Sequence, residues 1–389
     1  MSHDLPHPSL RRRGVTVIGI VVTIVVFVIV AALAFPTLTR LRERGRRIEC
    51  ESNLRKIGAA MERFRASSTG SKYPCGSAYA AQTDSPGTAW WLEIRPYAEG
   101  EKHVVKWRRE ARHSGDFSVP DVNGNVTIAD GFRNSIFFCP SSPLPLTNDP
   151  ARHMSEENRR ALSDKRPEGI PVPMYVAVSG SAPDAVNYDA NPVKSPPWGR
   201  NTKDGKYGIL SSSGVFPPNT YVEFASVRDA KERTILVGEQ SDYLRNRSLD
   251  PPDLYDVRSS WPRGAFMGSE GNYNQIRLAA QGIDGDGSRR NWNVTTVRYP
   301  LNFGDYTAQG ITTDPPAPRP AKQGDPPPPL PAYPAAGYGP GHNHPLVSAH
   351  PGGVQVLTAD GAVHFMNEEL DLELLIKMST RDDGLQVSF

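Results

Sequence analysis

The chain has 389 residues, which suffices for one large β-rich domain or two smaller domains. Its 44 basic and 42 acidic residues nearly cancel to a formal net charge of +2, which gives no reason to expect a nucleic-acid partner, and we predict none. The 37 prolines and 34 glycines indicate many turns and loops rather than a helical protein.

The N-terminal region predicts a membrane span. Residues 1–14 form a basic leader, and residues 15–35 form an uncharged apolar run close to the ~20 residues that an α-helix needs to cross a bilayer. A cleaved secretory signal is the competing interpretation, because Arg11–Arg13 precede the run and Ala32–Ala34 resembles a peptidase site. The run is longer than a signal's usual apolar region of about 7–15 residues, which favours the span. Arginines flank the run on both sides, so the positive-inside rule does not decide its orientation.

Residues 36–66 predict an amphipathic helix. Leu54, Ile57, Met61 and Phe64 recur at spacings of three and four residues, which places them on one face of a helix. This face must pack on something apolar. This apolar stripe fits a membrane-anchored helix whose outer half packs against a globular domain.

Residues 67–311 and 346–389 predict a β-rich domain. Short segments rich in β-branched and aromatic residues alternate with turn residues, namely NSIFFC, PMYVAVSG, NTYVEF, RTILVGE, VTTVRY and GVQVLTA. Residues 226–233 predict a short helix between two strands, capped by Ser226 or Asp229. Residues 312–345 are dense in proline and predict an extended loop or insertion.

The segment SAHPGGVQVLTADGAVHFMN, residues 348–367, predicts the last hairpin. Asp360–Gly361 is a favoured centre for a two-residue turn, and such a turn would pair Val356 with Phe365. His350 would then lie at the far end of the first strand, roughly 20 Å from the turn at ~3.3 Å per residue.

Two interpretations of His350 stay open. In the structural one, His350 starts a tight bend through Gly352 and Gly353 into the strand, and Asp360 and Gly361 shape the turn. In the functional one, His350 meets other side chains in space and holds a metal ion. The candidate partners of His350 at such a site are His342, His344 and His364.

Other candidate sites have simpler explanations. Asp121, Asn123 and Asn125 are spaced like the start of a calcium loop, but the glycine and glutamate that such a loop needs are absent, and Asn123 fits a hairpin turn. Asp284 and Asp286 lie in a second acidic loop that could bind a cation weakly. We predict no cofactor and assign no metal site.

The three cysteines are too few and too widely spaced to predict a zinc site or a disulfide-rich scaffold; they are Cys50, Cys75 and Cys139. One disulfide with one free thiol is compatible with the sequence, which does not identify the pair. No nucleophile motif, phosphate-binding loop or zinc-protease motif occurs, so we predict that the protein is not an enzyme.

The segment RRRGVTVIGIVV resembles a prepilin leader, in which a basic segment and a glycine precede an apolar helix. The resemblance implies cleavage after Gly14 by a prepilin peptidase, and a new, often methylated, N-terminus at Val15. The fifth residue after the cut is usually glutamate in such proteins, and here it is Gly19. That departure weakens the expectation of efficient processing and of fibre assembly.

Further segments resemble one prepilin-like bacterial family, the domain of unknown function 1559. They are RRIECESNLRKIGAAMERF, FFCPSSP, GVFPPNTYVEFASVRDAKERTILVGE and the His-x9-Asp-Gly signature from His350 to Gly361. The resemblance implies an α+β fold in which a long N-terminal helix, half transmembrane and half amphipathic, packs on a β-rich domain.

The same resemblance implies a pilin-like or pseudopilin-like envelope protein with a structural or binding role and no established biochemical activity. Its expected partners are the lipid bilayer, a prepilin peptidase and pilin-like subunits. Its N-terminus would be cytoplasmic, and its C-terminal domain periplasmic or extracellular. The alternative is a membrane-tethered lectin-like or hydrolytic domain. A surface of tryptophans would supply its carbohydrate-binding face, and the candidates are Trp90, Trp91, Trp198, Trp261 and Trp292.

Overall fold

A computed structural model describes residues 17–98, 115–117, 125, 135–148, 155–162, 170–182, 201, 207–246, 253–260, 265–272, 289–304 and 342–384. The chain divides into two compact units, Met1–Arg46 and Arg47–Phe389. A long helix, α1, spans Val17–Ser67 and includes Pro36. The α+β class with a long N-terminal helix is therefore confirmed.

In the first unit, α1 exposes the apolar side chains of its first turns, including Val17, Phe27 and Phe35. Among the described residues, α1 is the one helix long and apolar enough to cross a membrane. A helix satisfies its own backbone hydrogen bonds, which a lipid-exposed segment requires. The threonine after Pro36 also bonds within the helix, since the hydroxyl of Thr37 donates to the carbonyl of Leu33 at 3.3 Å.

In the second unit, the main feature is a five-stranded sheet with the order β7-β3-β4-β8-β9. Its strands, in chain order, are β3 (Tyr175–Ser181), β4 (Ile235–Glu239), β7 (Val294–Val297), β8 (Gly353–Thr358) and β9 (Val363–Asn367). β3 and β7 are parallel, and the other pairs are antiparallel. The central strands β3, β4 and β8 are buried along their whole length, so both faces of the sheet are covered.

The remaining elements lie around this sheet. They are two hairpins, β1 (Ser77–Ala80) with β2 (Ser85–Ala89) and β5 (Tyr243–Asn246) with β6 (Asp253–Asp256), and the short helices α2 (Trp90–Ile94), α3 (Glu156–Leu162) and α4 (Leu372–Met378). Asp371 caps α4, because its carboxylate accepts the backbone N–H groups of Glu373 and Leu374. The described residues also include 3-10 turns at Arg95–Tyr97, Ser135–Phe137, Phe224–Ser226 and Lys231–Arg233.

Two apolar cores cover the two faces of the sheet. Alternation along a strand sends Tyr175 and Ala177 of β3 to one core and Val176 and Val178 to the other. The first core also contains the stripe of α1, with Leu54, Ile57 and Met61 fully buried and Phe64 partly buried. The second core contains Leu375 and Met378 of α4. The predicted apolar face of α1 does pack on the domain.

Three local predictions were wrong. Both NSIFFC and NTYVEF were predicted as strands. NSIFFC contains the 3-10 turn Ser135–Phe137 instead, and NTYVEF is irregular and ends at the first residue of the 3-10 turn Phe224–Ser226. The predicted capped helix at 226–233 is a second 3-10 turn, Lys231–Arg233. Asp229 caps nothing there, because its carboxylate accepts the backbone N–H groups of Asp383 and Gly384, both at 3.0 Å.

The end of the proline-rich stretch is also built into the domain. Residues 342–345 are buried, and the carbonyl of His342 accepts the backbone N–H of Thr296 at 2.7 Å. Residues 342–345 therefore form a buried segment without helix or strand, and residues 312–341 lie outside the described residues.

The last hairpin differs from its prediction by one residue. Val356 pairs with His364 and Leu357 with Val363, whereas the predicted pair was Val356 with Phe365. The backbone N–H of Gly361 donates to the carbonyl of Thr358 at 2.9 Å, and Gly361 has φ +86°. The loop is thus a three-residue turn that ends in a left-handed glycine, and the extra residue shifts the register.

Candidate functional site

The most distinctive polar feature of the described residues is a set of four buried donor side chains, here called the buried cluster. It comprises Cys50, Cys139, Glu239 and His350, and its donor atoms all lie within 4.8 Å of one another.

Cys50 comes from α1. It precedes Leu54 by four residues and therefore lies on the same apolar stripe, which packs on the sheet. The Cys50 Sγ lies 3.0 Å from the Sγ of Cys139, and both cysteines are free thiols. Cys139 follows the 3-10 turn Ser135–Phe137, and its backbone N–H contacts the Sδ of Met174 at 3.3 Å.

Glu239 is the last residue of β4, and it is fully buried. Its Oε2 accepts the backbone N–H of Gln355, on the neighbouring strand β8, at 3.1 Å. Its Oε1 has no hydrogen-bond partner and points to the Nε2 of His350 at 3.6 Å. One carboxylate oxygen is therefore fixed by the sheet, and the other faces the cluster.

His350 enters the cluster from the bend before β8. Its Nε2 lies 3.5 Å from the Sγ of Cys139, and its backbone N–H donates to the hydroxyl of Ser348 at 3.1 Å. Gly352 has φ +83°, a conformation that favours glycine. A Cβ on Gly353 would lie 2.1 Å from the carbonyl oxygen of Met366, so only glycine allows β8 and β9 to pair there. The two glycines of the signature thus set the path of the chain that carries His350.

The cluster is electrostatically coupled. The contact with Cys50 lowers the pKa of Cys139, and its hydrogen bond with His350 adds to this effect. The same contact, together with burial, raises the pKa of Cys50. Burial raises the pKa of Glu239 to about 7, and the charge of Cys139 contributes. Thiolate, imidazole and carboxylate are the donors that metal ions use in proteins, and this set could hold one.

The structure places the sequence-predicted residues in different locations. Asp360 lies in the exposed turn, where its Oδ1 accepts the hydroxyl of Thr358 at 2.7 Å and the backbone N–H of Ala362 at 3.1 Å. It lies at the other end of β8 from His350. Of the three histidines named as partners of His350, His342 and His344 are buried against other segments, and His364 is exposed on β9. Those partners were wrong.

The other predicted residues form no described site. Asn125 is buried, while Asp121, Asn123, Asp284, Asp286, Gly14 and Val15 lie outside the described residues. Trp90, Trp91 and Trp292 are buried, which removes them from a carbohydrate-binding surface. Trp198 and Trp261 lie outside the described residues.

Sequence reasoning missed Cys50, Cys139 and Glu239 as neighbours of His350. Spacing rules recognise ligands that lie close together in the chain, and these four come from distant segments. One signal was present in the sequence, because Cys50 lies four residues before Leu54 and so continues the stripe of Leu54, Ile57 and Met61.

A family model described as a protein of unknown function, DUF1559, matches residues 39–373. No curated protein and no solved structure matches the chain.

Proposed function

Because the chain belongs to the DUF1559 family, we propose that it is a pilin-like structural or binding protein, anchored by one membrane span. One observation carries this proposal. A single helix, α1, has an exposed apolar segment long enough to cross a bilayer and, further along, a stripe buried in the core of the domain. Such a helix joins anchor and domain without a linker.

The finer parts of the proposal rest on the leader sequence. We propose processing after Gly14, which makes Val15 the N-terminus, with a prepilin peptidase and pilin-like subunits as partners. The N-terminus would be cytoplasmic and the domain periplasmic or extracellular. Gly19, in place of the usual glutamate, favours use of the helix as a plain anchor, because an unpaired carboxylate in lipid is costly.

We propose a structural or binding role rather than catalysis. The buried cluster is the strongest chemical feature of the described residues, and its four side chains are enclosed by the protein. A catalytic group must reach its substrate, which these groups do not do in this conformation.

The anchor is tested by fractionation of cells that express the full chain or a variant without residues 15–35. We expect the full chain to stay in the membrane pellet after alkaline carbonate extraction and the variant to leave it. Release of the full chain into the supernatant would refute the membrane span. Mass spectrometry of the mature N-terminus then distinguishes a start at Val15 from an uncleaved chain or a secretory cleavage.

Assembly is tested with a photo-reactive residue at Ile48, an apolar side chain of α1 that is 58% exposed. Leu254, an apolar side chain that is 52% exposed and belongs to β6 rather than to α1, is the matched control position. A product of twice the chain mass from position 48 and not from position 254 supports a pilin-like contact through this helix. Failure of position 48 to crosslink in native membranes contradicts assembly through this helix and favours a tethered single domain.

A further inference from the structure

We propose that the buried cluster binds one divalent metal ion of the zinc class, and that this ion fastens α1 to the sheet. The inference concerns the stability of the domain and does not depend on the proposed membrane role.

The distances within the buried cluster are close to those of a tetrahedral zinc site. Bond lengths of ~2.3 Å to sulfur and ~2.0–2.1 Å to nitrogen and oxygen require ligand-to-ligand distances of about 3.4–3.8 Å. The distance from Cys139 Sγ to His350 Nε2 is 3.5 Å, and that from His350 Nε2 to Glu239 Oε1 is 3.6 Å. The two sulfurs, at 3.0 Å, would need to separate by roughly 0.8 Å, which a small change in cysteine χ1 can supply.

Besides these distances, the side chain of Glu239 indicates that the cluster binds a ligand. Its side chain is fully buried, and its Oε1 faces the cluster without a hydrogen-bond partner. A buried carboxylate oxygen is normally paired or bound to a cation. A metal ion at the centre of the cluster would satisfy this oxygen and both sulfurs together.

A disulfide between Cys50 and Cys139 is the competing explanation. It would engage two of the four groups and would place the buried carboxylate of Glu239 and the imidazole of His350 against an uncharged bond. It would therefore leave the Oε1 of Glu239 facing His350 at 3.6 Å, which is longer than a hydrogen bond, with neither group bound to the sulfurs. The metal uses all four donors, and each thiol that binds it releases its proton to the solvent buffer.

The enclosure of the cluster identifies the site as structural. A catalytic zinc keeps an open coordination position for water or substrate, whereas structural sites use four protein ligands. Here four protein ligands are present, and all are buried. Each comes from a different part of the fold: α1, the segment after the 3-10 turn at 135–137, β4, and the bend before β8.

The test uses the full chain, purified in detergent without chelators and dialysed against buffer with micromolar Zn²⁺. Elemental analysis should find about one zinc per chain, and thiol titration after unfolding in a chelator should find all three cysteines reduced. Replacement of zinc by Co²⁺ should give thiolate-to-cobalt charge-transfer bands and the intense visible bands of tetrahedral cobalt. Cys139→Ser and Glu239→Gln should each weaken zinc affinity more than about 100-fold, the upper end of losses seen for outer-shell changes.

Cys75→Ser is the matched control, because Cys75 is buried and lies outside the cluster. It should retain one zinc per chain and the cobalt spectrum. Wild-type protein with one free thiol and a mass lower by two hydrogens would show a disulfide and overturn the proposal. Three free thiols with no zinc bound at micromolar concentration would also overturn it. This outcome is measured on the wild-type protein, so it does not depend on whether a variant folds.

Discussion

Leu54→Ala should strongly destabilise the domain, because Leu54 joins α1 to the first core. Its side chain is 0% exposed, and the change removes three carbon atoms, worth roughly 2.4 kcal/mol at ~0.8 kcal/mol each. The cavity left behind adds to this loss. One turn later, a Cβ on Gly58 would lie 2.9 Å from the Cδ1 of Leu357, so helix and sheet are already in close contact and cannot move together to fill the gap. We expect a total loss of about 3–4 kcal/mol, within the usual range for such changes.

The assay is urea unfolding of the full chain in detergent, followed by tryptophan fluorescence, to which Trp90 and Trp91 of the same core contribute. Ile48→Ala is the control, since Ile48 lies on the same helix but is exposed. It should change the free energy of unfolding by less than about 0.5 kcal/mol. If the two variants unfold within 0.5 kcal/mol of each other, α1 is not part of the cooperative core.

The remaining predictions concern backbone conformation and buried titratable groups. Gly361→Ala should lower the free energy of unfolding in urea by about 1–2 kcal/mol, because Gly361 has φ +86°. No atom lies within 4 Å of the new Cβ, so the cost is conformational alone. An unchanged free energy of unfolding would contradict the left-handed turn. Asp360→Ala should cost about 1–2 kcal/mol through loss of its two turn hydrogen bonds, and Asp360→Asn should restore part of it. Burial lowers the pKa of His342 to about 3, below its unfolded value of ~6.5. Its contribution to stability is therefore complete above pH 6.5, and it falls by up to ~1.4 kcal/mol per pH unit as the pH drops toward 3. His342→Gln should flatten this dependence of the unfolding free energy on pH, and an unchanged dependence would contradict the lowered pKa of His342. Burial raises the pKa of Cys75 to about 12, so iodoacetamide at pH 8 should label it only after unfolding, which peptide mass spectrometry detects.

The parts of the fold that follow local periodicity could be predicted. The stripe of Leu54, Ile57 and Met61 needs only helical spacing, and the buried strands β3, β4 and β8 need only β-branched runs with flanking turns. Their hydrogen-bond partners and the sheet order depend on contacts between distant segments, which spacing does not encode.

NTYVEF shows why a strand-like composition can mislead. The backbone carbonyl of Val222 accepts the N–H of Tyr73, and the N–H of Phe224 donates to the carbonyl of Ser71. The segment therefore bonds to an irregular stretch after α1 rather than to a regular strand. Composition reports a buried, apolar environment, and the partner decides whether a ladder forms.

The register of the last hairpin shows a second limit. Asp360–Gly361 correctly indicated a turn, but the dipeptide suits both a two-residue turn and a three-residue turn that ends in glycine. The two differ by one residue, and that residue decides which face of β9 meets the core. In the structure Met366 faces the core with Val354, whereas the predicted turn would have put Phe365 there.

The buried cluster was beyond local reasoning altogether. The signature segment contains His350, but its three neighbours in the cluster come from three other segments of the chain. Only the fold brings Cys139 and Glu239 to it.

The contact between α1 and β8 also sets how long the helix must wait during synthesis for the strand that it packs against. The side chain of Gln355 donates to the backbone carbonyl of Arg47 across 308 positions of sequence. At ~5–20 residues per second, a ribosome needs roughly 15–60 s to produce β8 after the start of this helix segment. During that interval Leu54 and its neighbours lack the complete sheet that covers them in the folded domain. The apolar face of the helix therefore stays incompletely covered until the C-terminal strands are made, and an incompletely covered apolar face is where a nascent chain is prone to aggregate.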